Sequence, residues 1–468
     1  MSEPTHQGSV PERLSEAHRS LRSLTFFFTE ETDPVLAALG RLLAAFASEA
    51  AADPEQAVAA YRQFLRLLAD AAEFHAGEFV GDAWRDYLLE RLLADENTFA
   101  RKAALSQDGS VSPALRAAAI QDLRHLQVLF ALESSLFVVA LARRTRRAVP
   151  GKEEACLVAW EDLRPLADAP SCHTPAEARL MAAFAAAADW GELVDELARH
   201  YAQAGCGLFH RYRAFRWVSD PDGGHLEGVA HPDPVSLDDL IGYEAERRIL
   251  LRNTEHFLAG FPANNVLLYG DRGTGKSSTV KALLNAYADR GLRLVEVQKH
   301  QFDAFPRLLA LLRGRRERFI LYVDDLSFEQ NETYYKELKA VLEGGLEARP
   351  ENVVLYATSN RRHLITERFA DRDGSNGEIH ARDAAQEKLS LSDRFGITVT
   401  FLSPDQEGYL SIVAGLADRL GLQWPREVLR QRALQWAGRQ NGWSGRTARQ
   451  FLEFALGEEA AERRSGGA

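Results

Sequence analysis

The sequence has few cysteines and lacks a long apolar run. Its 468 residues include three cysteines, Cys156, Cys172 and Cys206, and none belongs to a C-x-x-C pair. An odd number of such cysteines favours a reducing compartment and predicts neither structural disulfides nor zinc. There is no stretch of about eighteen apolar residues, and the polar start lacks the apolar core of a signal peptide. We therefore expect a cytoplasmic protein that does not associate with membranes.

The sequence also lacks an excess of positive charge. Lys and Arg number 56 against 67 Asp and Glu, which gives a formal net charge of -11. The surface as a whole should not attract nucleic acid, although a local basic patch still could. Nucleic acid is therefore a possible partner that the sequence does not indicate. A hydrophobic fraction of 46% with 26% charged residues is typical of a globular chain, and the length predicts two domains.

The first half of the chain has a helical pattern. From about Leu21 to Cys206 the sequence is rich in Ala, Leu, Arg and Glu, and apolar residues recur at helical spacing. We predict an all-helical N-terminal domain over residues 1–204, packed as an antiparallel bundle. A solenoid is the minor alternative, because the sequence shows no repeat of fixed period. The predicted helices are Asp33–Ala51, Pro54–Ala72, Trp84–Ala94, Pro113–Arg144 and Pro175–Ala202.

The second half alternates short apolar runs with helical segments. Residues 205–235 carry FHRYRAFRWVS and the turn DPDGG, which predict a short hairpin and then a linker. Residues 236–403 predict an α/β domain with a parallel sheet, and residues 404–468 a small helical lid. The predicted strands are Asn265–Tyr269, Leu292–Val297, Phe319–Val323, Asn352–Ala357 and Ile397–Phe401. The predicted lid helices are Tyr409–Leu420, Arg426–Ala437 and Arg446–Leu456.

A glycine-rich motif follows the first of these strands. GDRGTGKS, at residues 270–277, matches the pattern G-x-x-x-x-G-K-S/T directly after the apolar run NVLLY. Its glycines let backbone N–H groups wrap a phosphate at the start of a helix. Lys276 should neutralise the β- and γ-phosphates of ATP, and the hydroxyl of Ser277 should bind Mg²⁺. The predicted phosphate-binding residues are Gly270, Asp271, Arg272, Gly273, Thr274, Gly275, Lys276, Ser277 and Ser278.

Two further strands end in polar residues at the same predicted edge of the sheet. In FILYVDDLSF, Asp324 should hold Mg²⁺ through water and Asp325 should polarise an attacking water. In NVVLYATSN, Asn360 offers both a donor and an acceptor, so it could hold that water and touch the γ-phosphate. The alternative for Asn360 is a simple residue of the turn that ends the strand.

Arginines near the end of the chain complete the predicted site. Arg394, in LSDRFG, could reach a neighbouring subunit's γ-phosphate, or it could pair locally with Asp393. Arg446, at the start of a lid helix, could bring positive charge onto the γ-phosphate when the lid closes. Arg449 is the second candidate for that role, and a solvated pair of arginines is the alternative.

These motifs occur in the order found in the AAA+ superfamily, which the chain resembles from Ser236 to about Leu456. The combination YGDRGTGKSSTVKALLN, VDDLSFE, YATSNRRHLI and EKLSLSDRFG also resembles a bacterial family of predicted AAA+ ATPases with an N-terminal helical region. The resemblance implies an adenine-side wall at Ile241 and Gly242. It also implies a Walker B pair, a sensor 1 residue, an arginine finger and a sensor 2 residue at Asp324 with Asp325, Asn360, Arg394 and Arg446. Most AAA+ ATPases carry Glu where this chain has Asp325.

Together these features predict an ATPase that uses ATP and Mg²⁺, forms a homo-oligomer through Arg394 and remodels an unknown protein bound by the N-terminal helices. Two alternatives stay open. A slow ATP-gated switch or loader is consistent with the short Asp325 side chain. A P-loop kinase acting on a small molecule would also use the glycine-rich motif, although the arginines fit it poorly.

Overall fold

The computed structural model describes most of the chain. The described residues are 9–47, 54–73, 75, 79–106, 108–148, 157–164, 173–221, 223–327, 337–339, 342, 349–360, 394–440 and 442–465. They form two compact units, residues 1–211 and 212–468. Cys156, Cys172 and Asp393 lie outside the described residues, so their predicted roles stay predictions.

The first unit is helical. Its α-helices are Val10–Arg22, Pro34–Ala47, Pro54–Ala72, Ala83–Leu93, Thr98–Leu105, Pro113–Phe130, Ser134–Ala148, Pro175–Ala186, Val194–Ala204 and Leu208–Arg211, with short 3₁₀ turns at Trp160–Asp162 and Trp190–Leu193. The all-helical prediction is confirmed for this unit. Its core includes the buried rings of Phe64, Trp84 and Trp160. The centroid of the Phe64 ring lies 5.6 Å from that of Trp84 and 5.5 Å from that of Trp160.

Two predicted helices are wrong in extent, because tertiary contacts interrupt them. The segment predicted as Pro113–Arg144 breaks after Phe130, where Trp84 Nε1 donates to the Leu129 carbonyl at 2.8 Å. The next helix begins with the N–H of Ser134 donating to Glu161 Oε1 at 2.9 Å.

The segment predicted as Pro175–Ala202 breaks after Ala186. There the side chain of Asp189 accepts the N–H of Gly191 at 2.8 Å and starts the 3₁₀ turn. Side chains of these kinds satisfy the free groups at helix ends, and helical spacing along the sequence does not reveal them.

The second unit is built on one seven-stranded sheet. Its strands are β1 Ala214–Val218, β2 His225–Gly228, β3 Val266–Gly270, β4 Leu292–Glu296, β5 Arg318–Val323, β6 Val353–Ser359 and β7 Ile397–Phe401. Their order is β2-β1-β4-β5-β6-β3-β7, and all are parallel except β2, which pairs antiparallel with β1. The predicted hairpin is present as β1 and β2. It extends the sheet, because β1 pairs with β4 with Phe215 opposite Val295.

The order of the strands determines which motifs meet. β5, β6 and β3 are neighbours and run in one direction, so their carboxyl ends lie at one edge of the sheet. The glycine-rich motif, the Asp324–Asp325 pair and Asn360 directly follow these three strands. Ligands of open parallel sheets bind at this edge.

The remaining helices flank the sheet or form the lid. They are Glu244–Leu258, Lys276–Tyr287 and Phe305–Leu312, followed by the lid helices Gln406–Leu420, Arg426–Arg439 and Gly445–Ser465. The three predicted lid helices are present, and they enclose a small core of their own that includes Tyr409, Ala433 and Phe451. Among the described residues, no single helix is both long and apolar enough to cross a membrane. One bent pair, Pro113–Phe130 with Ser134–Arg143, meets the same measures of length and composition.

Candidate functional site

The glycine-rich motif forms a turn between β3 and the helix Lys276–Tyr287. Gly270 has a φ of +144°, and a Cβ there would lie 1.9 Å from the carbonyl oxygen of Phe401. The N–H of Asp271 donates to the same carbonyl at 3.0 Å, so only glycine allows the turn to approach β7 this closely. Gly275, at φ +91°, precedes the first turn of the helix. The free N–H groups and positive dipole end of that helix therefore face the turn, as an anion site requires.

Lys276 lies across this turn and is largely buried. Its Nζ donates to the carbonyl oxygens of Gly270 at 2.8 Å and Asp271 at 2.6 Å, and to Asn360 Oδ1 at 3.2 Å. Burial lowers the pKa of Lys276, and the charge of Asp271 opposes this shift most strongly. The ammonium group is thus held by three oxygen atoms inside the glycine-rich turn.

Ser277 and Asp324 form a pair of hard oxygen donors. Ser277 Oγ donates to Asp324 Oδ1 at 2.7 Å, and the hydroxyl of Thr358 donates to the same oxygen. Burial raises the pKa of Asp324, but hydrogen bonds, led by that from Thr358, outweigh burial and lower it overall. Asp324 is therefore ionised at neutral pH. A carboxylate beside a serine hydroxyl is a donor set that suits Mg²⁺, which prefers oxygen ligands and retains part of its water shell.

Asp325 and Asn360 face each other across the ends of β5 and β6. Asp325 is one of two non-glycine residues with positive φ among the described residues, at +49°. Its N–H donates to Thr358 Oγ1 at 3.0 Å, and Asn360 Nδ2 donates to Asp325 Oδ1 at 2.6 Å. Since the other end of the Asn360 amide accepts from Lys276, this amide links the lysine to the carboxylate. Its two ends have the donor and acceptor roles predicted for a residue that positions water.

An apolar wall adjoins the phosphate side. Ile241 contacts the first lid helix so closely that a Cβ on Gly415 would lie 3.1 Å from it. Gly242 has a φ of +82°, and the hydroxyl of Tyr243 donates to the Leu402 carbonyl at 2.6 Å. A flat apolar wall with backbone polar groups beside it is the kind of surface that holds a purine base.

The last lid helix contacts the glycine-rich turn. The N–H of Arg446 donates to the Gly273 carbonyl at 3.1 Å, and a Cβ on Gly273 would lie 2.9 Å from Ser444 Oγ. The side chains of Arg446 and Arg449 both border the same cavity as Lys276. A change in the lid angle would therefore move positive charge relative to the phosphate side of the cavity.

Together these groups border one cavity of about 620 Å³. The predicted residues that line it are Ile241, Gly242, Arg272, Gly273, Thr274, Gly275, Lys276, Ser277, Ser278, Asp324, Asp325, Asn360 and Arg446. Gly270 and Asp271 lie beneath the turn and contribute the carbonyl groups that hold Lys276.

Arg394 lies elsewhere. It sits half-buried in the turn before β7, and Ile397 at the start of β7 pairs with Val266 at the start of β3. Arg394 is therefore at the amino edge of the sheet, opposite the edge that holds the cavity. Within one chain it does not join the predicted site, and its predicted contact with a neighbouring subunit stays a prediction.

Comparison with known proteins identifies the family of this chain. A family model described as "Protein of unknown function (DUF815)" matches residues 210–459, which is more than half of the chain. The chain belongs to this family. The match covers the sheet, the cavity and most of the lid of this DUF815 protein, and nearly all of the first unit lies outside it. No curated protein matches the chain.

Solved structures of RuvB from Thermotoga maritima, described as a Holliday junction branch migration motor, are distantly similar. One is 16% identical and covers 47% of this chain and 72% of its own, with a TM-score of 0.30. A mutant of the same protein is 19% identical over 46% of this chain and 62% of its own, also at 0.30. Likeness of this degree does not indicate that the two proteins share an activity. The second unit of the DUF815 protein has the predicted α/β architecture, with the glycine-rich turn after the parallel strand β3 and a helical lid after the sheet.

Sequence reasoning missed one residue that organises the site. The hydroxyl of Thr358 donates to Asp324 and accepts from the N–H of Asp325, so it fixes both acids at once. A signal was present, because Thr358 lies on β6 two positions before Asn360, and side chains two positions apart along a strand point to the same side. The other missed residues that line the cavity are Asp239, Leu240, Tyr243, Arg247, Thr279, Phe401, Ile412, Leu416 and Gly445.

Replacing Thr358 with valine should weaken Mg²⁺ binding about 10- to 100-fold, because it removes a hydrogen bond that orients the metal carboxylate while keeping the side-chain shape. The measurement is the Mg²⁺ concentration that half-saturates nucleotide binding. Thr358→Ser keeps the hydroxyl and is the matched control. Equal Mg²⁺ dependence in the valine and serine variants would contradict the role of Thr358.

Proposed function

We propose that this DUF815 protein binds ATP with Mg²⁺, hydrolyses it and uses the resulting change in lid angle to alter the conformation of a protein partner. The observation that supports this most directly is the meeting of Lys276, Asp324 and Asn360 in one cavity beside a turn shaped for phosphate. These residues are far apart in sequence, and their types are those required for the phosphates, the metal ion and the water.

In the proposed reaction, ATP places its phosphates against the glycine-rich turn and its base against Ile241. Lys276 would exchange its bonds to neutral oxygens for bonds to phosphate, which strengthens them because the acceptor becomes charged. Asp325 would accept a hydrogen bond from a water in line with the γ-phosphate, and Asn360 would hold that water in position. Bound Mg²⁺ would neutralise charge on the phosphate oxygens.

The partner is proposed to bind the first unit. That unit has its own hydrophobic core and lies almost wholly outside the matched family region. This is what we expect of a module that recognises the partner while the second unit binds ATP. Homo-oligomers are proposed because Arg394 lies at the sheet edge opposite its own cavity and could complete only the site of a neighbouring copy.

A second function is supported by one contact. Asn360 Nδ2 lies 2.6 Å from the Asp325 carboxylate, so the acid is already engaged before any water arrives. The side chain of Asp325 is also one methylene shorter than that of Glu. A protein that binds ATP firmly but activates water poorly would act as a slow ATP-gated switch or loader.

Variants of Asp325 test the proposed function and distinguish these two forms of it. Asp325→Asn should lower the rate of phosphate release about 100-fold, because a neutral amide cannot accept the proton of water, while ATP affinity changes less than about threefold. Steady-state phosphate release and nucleotide titration measure the two effects. Asp303→Asn, on an exposed side chain in the same unit, is the control. Unchanged phosphate release in Asp325→Asn would rule out the proposed role.

The variant Asp325→Glu distinguishes the two proposed functions, an ATPase that turns over to drive a conformational change (a motor) and a slow ATP-gated switch. The longer Glu side chain can reach a water that Asp325, engaged by Asn360, cannot reach. If the protein is a switch whose hydrolysis is slow because Asp325 is short, Asp325→Glu should therefore hydrolyse ATP faster. A motor already tuned for turnover should gain nothing or lose rate. The same phosphate-release measurement decides between them.

A further inference from the structure

We propose that the first unit contains a structural site for a divalent transition metal, best matched by Zn²⁺, formed by His75, Asp86, Glu90 and His173. The site is independent of the nucleotide cavity. It also differs from the expectation of no zinc, which rested on the pattern of cysteines alone.

The four residues come from three places in the unit. Asp86 and Glu90 are four residues apart on the helix Ala83–Leu93, so both project from one face. His75 follows the helix Pro54–Ala72, and His173 immediately precedes Thr174, which caps the helix Pro175–Ala186. One ligand atom from each residue lies within 4.8 Å of all the others. The fold therefore brings two imidazoles and two carboxylates to a single point.

The distances are close to those of a tetrahedral site. His173 Nε2 lies 3.4 Å from Glu90 Oε1, and His75 Nε2 lies 3.6 Å from Asp86 Oδ2. Ligands about 2.0–2.2 Å from a tetrahedral zinc are about 3.4 Å apart. These two distances are close to that value, and all four ligand atoms lie within 4.8 Å of one another.

His75 gives an independent indication of a ligand. It is only 8% exposed, and its Nε2 is buried without a hydrogen bond to any residue in the described part of the chain. A buried ring nitrogen that makes no hydrogen bond is unfavourable, and the nearby Asp86 Oδ2, at 3.6 Å, is too far away to make one. A metal bound to Nε2 would satisfy it.

Asp86 is held as a metal ligand usually is. Its Oδ1 accepts the N–H of Val80 at 2.8 Å, and this bond leaves Oδ2 directed at His75. The competing explanation is that the contacts of His75 with Asp86 at 3.6 Å and Glu90 at 3.4 Å are sufficient without a metal.

The donor set indicates the class of metal. Two imidazole nitrogens favour zinc, iron, nickel or copper over Mg²⁺ and Ca²⁺, which take oxygen ligands. Four protein ligands at tetrahedral spacing leave no open position, which is typical of a structural site. The metal would tie the helix Ala83–Leu93 to two connecting segments and so add to the stability of the first unit.

The test uses full-length protein stripped with a chelator and then titrated with Zn²⁺ against a chromophoric competitor. We expect one Zn²⁺ per chain and a rise in the melting temperature on binding. Co²⁺ should give the intense visible absorption of a tetrahedral complex. Glu90→Gln and His173→Ala should each weaken binding at least about 100-fold, since each removes a direct ligand.

A second group in the same unit provides the control. Glu177, His200 and His210 also lie within ligand distance of one another, but Nε2 of His200 contacts the Leu93 carbonyl at 3.3 Å. His210→Ala should leave Zn²⁺ affinity unchanged. No binding tighter than about 10 µM, or loss of binding in His210→Ala rather than in the first two variants, would overturn the proposal.

Discussion

Replacing Lys276 with alanine should lower ATP affinity about 1000-fold and abolish hydrolysis. The ammonium group lies across the phosphate turn, and bonds from a charged donor contribute about 1.5–3 kcal/mol each. Loss of two such bonds to phosphate costs about 4 kcal/mol, which corresponds to the stated change in affinity. The measurements are titration with a fluorescent ATP analogue and phosphate release.

Lys281→Ala is the matched control for this change. Lys281 lies on the same helix, does not border the cavity, has a side chain that is 41% exposed and pairs with Asp233 at 3.3 Å. Its removal tests for a general loss of charge or helix stability, since an exposed ion pair contributes little. Unchanged ATP affinity and hydrolysis in Lys276→Ala, with a normal melting temperature, would discard the site assignment. The Zn²⁺ proposal would be untouched by that result.

The parts of the site that could be predicted from sequence are those encoded by neighbouring residues. The glycine-rich turn is one continuous motif, and Asp324, Asp325 and Asn360 each follow a run of apolar residues that marks a buried strand. Parallel strands bring such ends to one edge whatever their order in the sheet. Local pattern and one topological rule were therefore enough to place these residues together.

The parts that could not be predicted depend on contacts between distant segments. Thr358 matters only because β5 and β6 are neighbours, and that pairing is not written in either strand alone. The break after Phe130 requires the indole of Trp84, 46 residues earlier in the chain. In the same way, only Asp86 and Glu90 of the proposed metal ligands have a recognisable spacing, and His75 and His173 join them only after the helices pack.

The first strand of the hairpin shows the same limit in the sheet. Its aromatic and β-branched residues indicate a strand, but its parallel pairing with β4 requires knowledge of where β4 has an unpaired edge. That edge is a property of the whole sheet. The hairpin thus belongs to the second unit through a strand pairing that the local sequence does not reveal.

Replacing Arg394 with alanine should lower ATP hydrolysis about 1000-fold in the assembled protein, while ATP affinity of the isolated chain is kept. Arg394 lies at the edge of the sheet opposite its own cavity, so any contribution to catalysis must be made to a neighbouring copy. An arginine that stabilises the transition state from a neighbouring chain contributes about 10³–10⁵ in rate. Arg426→Ala, on an exposed lid arginine paired with Asp418, is the control.

Mixing two inactive variants gives the decisive measurement. Arg394→Ala keeps its own cavity intact, and Asp325→Asn keeps an intact Arg394. In a mixed oligomer the cavity of the first can face the arginine of the second, so the mixture should release phosphate faster than the two samples do separately. Activity that equals the sum of the separate samples would show that no residue is shared between copies. Arg394 would then have only a structural role within its own chain, and the proposal that the protein oligomerises to complete its catalytic site would be wrong.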